Sequence, residues 1–490
     1  MSTKSPRASN PRLAYFTFFF LVVAVSLLMV NCGGGAQFSS NPPMGTASLS
    51  ISDPPSCRTP NGNFKHVYVT VTSVQAHLSS TATDGMPGWQ ELAPNLATQP
   101  VQLDLLSTAQ AACVLAQLGA NVSLPAGDYQ QIRLILLSNS PAASAPVPAS
   151  NACGAGGFNC AVLSDDSIHI LSLSSQANTG LKIPPGQIAG GAIRVAANQH
   201  VDINIDFNTC ASLVLQGNGQ YRMRPTLTAG QVSATNTGLS GQIVDSVTQL
   251  PIVGGQVLVA IEQADSAGVD RIIMQAATDA NGNFNFCPLP TGMFDVVAVA
   301  TDGAGIAYNA TIALNVPAGT AMGKIPLVAE TGVATGPGTM QGVVTSANAG
   351  AGVSIDSSMS AFQTITLSGG GTRDVSIPLQ GTSTVNVATV ATPAVAVCPV
   401  NTFCEQYTLI VPASNPSFGT FAAAGTTFSV PAVGDVLFKV EARAFQPLTG
   451  GIPSCSPSSV TVNQDSASLP LKVTAGATVA PKQIDFTGCS

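Results

Sequence analysis

His200, Asp202, Asn204 and Asp206 fall at every second position of the segment HVDINIDF, so a single strand face would present an imidazole, two carboxylates and an amide. That mixture can hold a metal ion or hydrogen-bond a sugar, although a solvated sheet face produces the same pattern. His66 and His77 lie on the polar side of another alternating segment. The chain has only four histidines, so a zinc site would need distant strands to cooperate. Asp165, Asp166 and His169 (SDDSIH) are acid–base types, but on a strand Asp165 and His169 would sit about 13 Å apart on their common face. Asp279-Ala-Asn-Gly-Asn begins like a calcium loop, yet Pro290 stands where the bidentate Glu belongs, so a tight turn is expected. Trp89, Tyr68, Tyr129 and Tyr221 offer faces for stacking on sugar rings, from a supply of one Trp and six Tyr. No G-x-S-x-G, H-E-x-x-H or G-x-x-x-x-G-K-[ST] motif occurs. No catalytic residue, metal or cofactor is assigned.

The elements that would position these groups read as strands. In HVDINIDF the apolar residues alternate with polar ones, which a helix would scatter round its circumference. Residues 66–77 (HVYVTVTSVQAH) place Val67, Val69 and Val71 on one face, then shift phase to Val74 and Ala76. An extra residue near Thr72 and Ser73, a β-bulge, would keep both halves on the same core. In YQQIRLIL (129–136), Ile132, Leu134 and Leu136 point inward. After Cys32 no long stretch has the 3.6-residue period. With 47 Gly and 34 Pro to make turns, the fold class is all-β, as tandem β-sandwich domains behind an N-terminal signal or anchor segment.

Charged residues make up 8% of the 490 positions, against roughly a quarter in ordinary soluble domains. Hydrophobic content of 45% excludes disorder by the low-hydrophobicity route, and a net charge of −7 argues against a nucleic-acid binder, which would need a basic face. Lys4, Arg7 and Arg12 precede the apolar run Leu13–Val30, and Asn31-Cys32-Gly33-Gly34-Gly35 follows it. This arrangement resembles a bacterial lipoprotein signal, which implies removal of residues 1–31, lipidation of Cys32 and a flexible tether over 32–44. The family has Gly, Ala or Ser where Asn31 stands. An uncleaved anchor is the alternative, since about 18 apolar residues can just span a bilayer. Either way the body is expected outside the cytoplasm, held to the membrane; Gly33 after the anchor cysteine favours the outer membrane.

Eleven cysteines, ten without Cys32, suit an oxidising compartment. None are spaced as CxxC, so they read as structural. Cys153 and Cys160 bracket a glycine-rich loop, Cys398 and Cys404 a second short excursion, and Cys455 and Cys489 could staple the last segment. Spacing does not settle Cys57, Cys113, Cys210 or Cys287.

Turn clusters divide the body at 45–232, 238–332 and 338–490. The first segment resembles a bacterial lipoprotein domain of unknown function, the 4382 family. The resemblance rests on GTASLSISDP (45–54), HVYVTV (66–71), Gly88-Trp89, VQLDLL (101–106), LPAGDYQQIRL (124–134), GLK (180–182), Asp206-Phe207 and YRMRP (221–225). It implies a bridge between Cys57 and Cys210 and brings no activity. The second segment is similar to the carboxypeptidase regulatory-like, transthyretin-type sandwich through Gly241, Ile243, Asp245, PIVG (251–254), TDANGNFNF (278–286) and LPTGMFDV (289–296). That family implies a structural spacer with a carbohydrate-binding-like fold class, and no sugar-contacting residue transfers from it. The C-terminal β-rich segment resembles no family. The expected role is an envelope-anchored, non-enzymatic surface or periplasmic binding or scaffolding protein whose partner is a glycan or an envelope protein. Its rivals are a carbohydrate-binding accessory module, discriminated by glycan binding lost on changing Trp89 or Tyr68 to Ala, and a cryptic hydrolase.

Overall fold

The structure is a computed structural model. It describes Met1 and residues 42–490 apart from 53–57, 60–61, 107–115, 174–179, 184–186, 189–190, 208, 216–219, 224–226, 233–237, 266, 287–288, 290–291, 333, 347–355, 389–402, 446–454, 456, 458 and 488–490. The leader, Cys32 and most of the tether lie outside the described residues. No helix among the described residues is long and apolar enough to cross a membrane.

Alternation in the sequence becomes two facing sheets between Met44 and Val232. One has the order Leu227–Val232, His200–Phe207, Met44–Ser52, Ala116–Pro125, with Met44–Ser52 parallel to His200–Phe207. The other centres on the 16-residue strand Gly62–His77, which pairs with Gln131–Leu136, Cys160–Leu163, Val101–Asp104 and Gln90–Glu91. Leu49, Ile51, Ile203 and Ile205 from the first sheet share one core with Val67, Val69, Val71, Val74, Ile132 and Leu134 from the second. The expected bulge is present: the register steps from Val71↔Leu136 to Ser73↔Ile135, and Val74 and Ala76 return to the core. A one-residue insertion restores the facing that a strict period of two would have reversed.

Beyond residue 238 the stretches 238–332 and 338–490 share a nine-stranded sheet. Its order is Ser417–Thr420, Ala307–Pro317, Met293–Thr301, Gln256–Ala264, Asp270–Ala277, Thr372–Ser376, Asp356–Thr366, Lys439–Phe445, Ser459–Val462. Val257, Val259 and Ile261 face a core with Phe284, Phe286 and Phe294. Leu258, of the opposite parity, joins Tyr407, Leu409 and Phe438 in a second core. Strands buried on both faces read as continuous apolar runs, as VLVAI (257–261) does.

One turn design recurs. In DSAGV (265–269), DANGN (279–283), DGAGI (302–306) and DSASL (465–469), the first residue's N–H bonds the fifth residue's carbonyl, and the fourth residue's N–H bonds the first residue's carbonyl. The aspartate Oδ1 then accepts the N–H groups of the third and fifth residues at 2.8–3.1 Å. The fourth residue takes positive φ: Gly268 +77°, Gly282 +76°, Gly305 +84°, Ser468 +64°. This is a three-residue hairpin loop with a left-handed residue completing a bulge, and the aspartate satisfies amides that the turn leaves open. Few as the acids are, four of them serve this purpose.

Candidate functional site

A row of chemically capable polar side chains lies on the outer face of the long-strand sheet. Gln75 pairs with Glu91 on one side and Arg133 on the other, and Arg133 pairs with Lys182, so four neighbouring strands line up an acid, an amide and two cations. The loop 78–89 folds over this row. Arg133 donates through Nε to Gln75 Oε1 at 2.8 Å and through Nη1 to Asp84 Oδ1 at 3.1 Å. Lys182 Nζ lies 3.4 Å from the same Asp84 oxygen without the alignment of a hydrogen bond. Burial, opposed by the Asp84 charge, brings the Lys182 ammonium down to about 8, and burial lowers Arg133 too. Glu91 accepts from Ser73 Oγ (2.6 Å), Val74 N–H (3.0 Å) and Gln75 Nε2 (3.2 Å).

Trp89 closes this end. Its Nε1 donates to the Thr83 carbonyl at 2.8 Å, the Arg133 guanidinium lies 4.0 Å from its ring centroid, and the His77 ring is 5.2 Å away. His77 uses both nitrogens: Nδ1 accepts the Ser79 N–H at 2.8 Å, and Nε2 donates to the Pro87 carbonyl at 3.2 Å. Gly88 is required here, with φ +109° and its missing Cβ only 3.0 Å from His77 Nε2.

At the other end of the long strand, His66 Nδ1 meets Asp104 Oδ2 at 2.7 Å, and the ring stacks on Tyr68 at 5.5 Å. Asp104 Oδ1 is anchored by the N–H groups of Val67 (3.3 Å) and Leu106 (3.2 Å). An oriented acid–imidazole pair is half of a nucleophile-activating set. The stacked neighbour, however, is a phenol whose ionisation is opposed by burial and then by the Asp104 charge.

Between the two ends lies the loop 151–160, closed by the Cys153–Cys160 disulfide. The amides of a buried Asn159 and a half-buried Gln102 hold it down. Asn159 donates to the Leu137 carbonyl at 2.7 Å and accepts the Thr70 N–H at 2.9 Å. Gln102 bonds Asn151 Oδ1 (3.0 Å), the Phe158 carbonyl (3.1 Å) and the Ala152 N–H (2.7 Å). Sequence reasoning passed over Gln102 and Asn159, because amides in polar stretches carry no periodic signal.

The His200 face lies on the other sheet, apart from Trp89 and Tyr68. Only its beginning is open: His200 contacts Thr46 Oγ1 (3.0 Å) and Asp202 Oδ1 (3.1 Å). Asn204 and Asp206 are buried at 4% exposure, which corrects the expectation of a solvated face for this half. Ser50 and Ser52 from the parallel neighbour supply their hydrogen bonds, with Asn204 donating to Ser52 Oγ at 2.7 Å and Ser52 donating to Asp206 at 3.2 Å. Burial pushes Asp206 up to about 7 against that serine bond. Thr228, paired with Asp206 on the next strand, donates to the Ile273 carbonyl, so the segment after 238 lies alongside this face.

Ser167 bridges Asp165 and His169, donating to Asp165 Oδ1 at 2.6 Å and lying 3.1 Å from His169 Nε2. The order is acid–hydroxyl–imidazole, so the serine proton is directed to the acid and the imidazole does not receive it. Asp279 is filled by the turn, Oδ1 by two backbone amides and Oδ2 by Asn283 Nδ2. Among the described residues no group of three or more His, Cys, Asp or Glu could hold a metal ion. Cys404 and Cys455 are each disulfide-bonded. Cys57, Cys113, Cys287, Cys398, Cys489 and the side chain of Cys210 lie outside the described residues.

Residues 44–225 match the family described as Domain of unknown function (DUF4382). No curated protein matches the chain. Similar solved structures include a leucine-rich repeat protein of Bacteroides thetaiotaomicron, at 8% identity and TM-score 0.20, covering 52% of this chain and 27% of that one. The shaft pilin SpaA of Lactobacillus rhamnosus GG, as a double mutant, has 9% identity and TM-score 0.17, covering 60% of this chain and 100% of the pilin. A minor pilin of Streptococcus agalactiae has 9% identity and TM-score 0.16, covering 52% of this chain and 96% of its own. The chain thus spans about a quarter of the leucine-rich repeat protein.

Proposed function

We propose that this protein is a cell-envelope lipoprotein, anchored through Cys32, that acts without catalysis as a binding or scaffolding unit, its 238–332 stretch being a carboxypeptidase regulatory-like spacer. One observation carries the reading: the side chains best suited to chemistry are committed to holding loops on sheets. Arg133, Lys182, Asp84, Trp89 and His77 fasten the loop 78–89, and Asn159 and Gln102 fasten the disulfide loop. Aspartates, the residue type suited to acid chemistry and cation binding, cap turns. Groups spent on internal bonds rigidify a display surface and are not poised to move protons. The basic and apolar leader and the supply of cysteines support the exported address.

The test is activity profiling of the purified protein against ester, peptide and glycoside panels beside a His66→Ala variant. Blank panels for both fit the proposal. Turnover by the wild type that the variant lacks would make the His66–Asp104 pair a catalytic site and overturn it.

A further inference from the structure

Three carboxyl groups and one arginine meet at one of the two places where the stretches 238–332 and 338–490 pair in the nine-stranded sheet, between Asp270–Ala277 and Thr372–Ser376. Glu262 stands directly opposite Asp295 between Gln256–Ala264 and Met293–Thr301. Asp270 begins the next strand opposite Ala264, two residues along the same face. From across the join, Arg373 places Nη1 2.7 Å from Asp295 Oδ2 and 3.6 Å from Asp270 Oδ2. All three acids are buried, with Glu262 and Asp270 at 0% exposure and Asp295 at 5%. Asp295 is satisfied by Arg373 and by the Asn315 N–H at 2.7 Å. Glu262 Oε2 accepts the Ser376 N–H at 3.1 Å, but among the described residues its Oε1 has no hydrogen-bond partner and neither does either oxygen of Asp270.

The other charges nearby are already matched. Arg271 turns to the opposite face, where it bonds both oxygens of Glu441 (2.8 and 3.0 Å) and Asp265 (3.0 Å). Asp374 is held by Lys439 at 2.7 Å. Fully ionised, Glu262, Asp270, Asp295 and Arg373 would sum to −2 in a dry sheet, an arrangement that burial opposes strongly. Two protons neutralise the group, and a proton on Asp270 supplies the hydrogen its oxygens lack.

We propose that this contact is a proton-dependent lock, in which a proton on Glu262 and one on Asp270 keep Thr372–Ser376 seated against Asp270–Ala277, and whose loss as the pH rises loosens the sheet there. At this contact the backbone leaves the decision to side chains: Asp270–Ala277 and Thr372–Ser376 are laddered by the single pair Asp270↔Val375, whereas the other contact between the two stretches, Ala307–Pro317 beside Ser417–Thr420, is laddered over four pairs. Burial, then the charge of Asp295, raises Asp270 to about 8 against the charge of Arg373, and burial and then the charge of Asp270 drive Glu262 well above the carboxylate range. Each such acid keeps a proton in the closed join that it releases once exposed. Closing is therefore weakened about tenfold per pH unit per proton between the ordinary carboxyl value near 4 and the raised value.

Hydrogen–deuterium exchange on the full chain from pH 5 to 9, corrected for intrinsic rates, tests this. Protection over Gln256–Ala264, Asp270–Ala277 and Thr372–Ser376 should fall by about tenfold or more per unit between pH 6 and 8, with Gly62–His77 as the steady reference. In the double variant E262Q and D270N, whose amides mimic the protonated acids, protection at the join should not vary with pH. Join segments that track the reference in the wild type would overturn the lock, whether or not the variant folds. A variant that keeps the wild-type slope would overturn it equally.

Discussion

The Arg133 guanidinium covers the ring of Trp89, 4.0 Å from its centroid, while the indole N–H is bonded to the Thr83 carbonyl. A residue whose type suggests a sugar platform is thus the fastener of the loop 78–89. Trp89→Ala should destabilise the protein by about 2 kcal/mol, the sum of a cation–π contact and one hydrogen bond. Trp89→Phe should cost about 1 kcal/mol, because it keeps a ring and loses the donor. Chemical denaturation measures both, and a glycan array should be unchanged. Undiminished stability with lost glycan binding would restore Trp89 as a ligand platform.

Asn159 should matter more than the disulfide beside it. Opening the Cys153–Cys160 bridge by double substitution to Ser releases a short loop and should cost about 2 kcal/mol. Asn159→Ala leaves the Thr70 N–H and the Leu137 carbonyl unpaired in a buried site, at about 1–3 kcal/mol each. Urea midpoints of the two variants decide the order; a larger loss from the bridge would show that the amides are secondary.

The recurrent aspartate turn separates two costs of removing a glycine. Gly305→Ala meets only the unfavourable positive φ, since nothing lies within 4 Å of the added carbon. Gly282→Ala meets the same φ and also the Ile243 carbonyl at 2.4 Å. The first should cost about 1 kcal/mol and the second clearly more. Equal losses would contradict the packing described at the second turn.

Acid should destabilise the protein through the carboxylates held low. Burial works against ionisation of Asp265, but Arg271 and the amides of Val269 and Ala267 outweigh it and keep the group below the ordinary range. Burial likewise opposes Glu441, and Arg271 and Arg443 overcome it. Such groups give their full stabilisation above the unfolded carboxyl value near 4, and lose it as pH falls through the folded value. Denaturation at pH 2 to 5 should show this drop, and Asp265→Asn should make it shallower. An unaltered slope in the variant would remove Asp265 from the account.

Much of the strand content was legible because side-chain period reports facing directly: Val67, Val69 and Val71, then the phase shift at Thr72, appear in the fold as the sequence spells them. DANGN was legible as a turn because its residue types have local reasons to be there. Burial of Asn204 and Asp206 was not, since alternation says which residues share a face and nothing about what lies over it. Arg133 over Trp89 and Asp270 beside Val375 were hidden for the same reason. Local pattern does not encode which distant strand becomes a neighbour, and the chemistry of both places depends on that pairing.

Export and anchoring through Cys32 are tested together by intact-mass and tryptic analysis of native protein without reduction. The predicted result is a membrane-fraction polypeptide beginning at Cys32, carrying a diacylglyceryl mass on that residue, with Cys153 and Cys160 recovered as one linked peptide pair. A cytosolic chain that retains Met1 and carries free thiols at Cys32, Cys153 and Cys160 would contradict it.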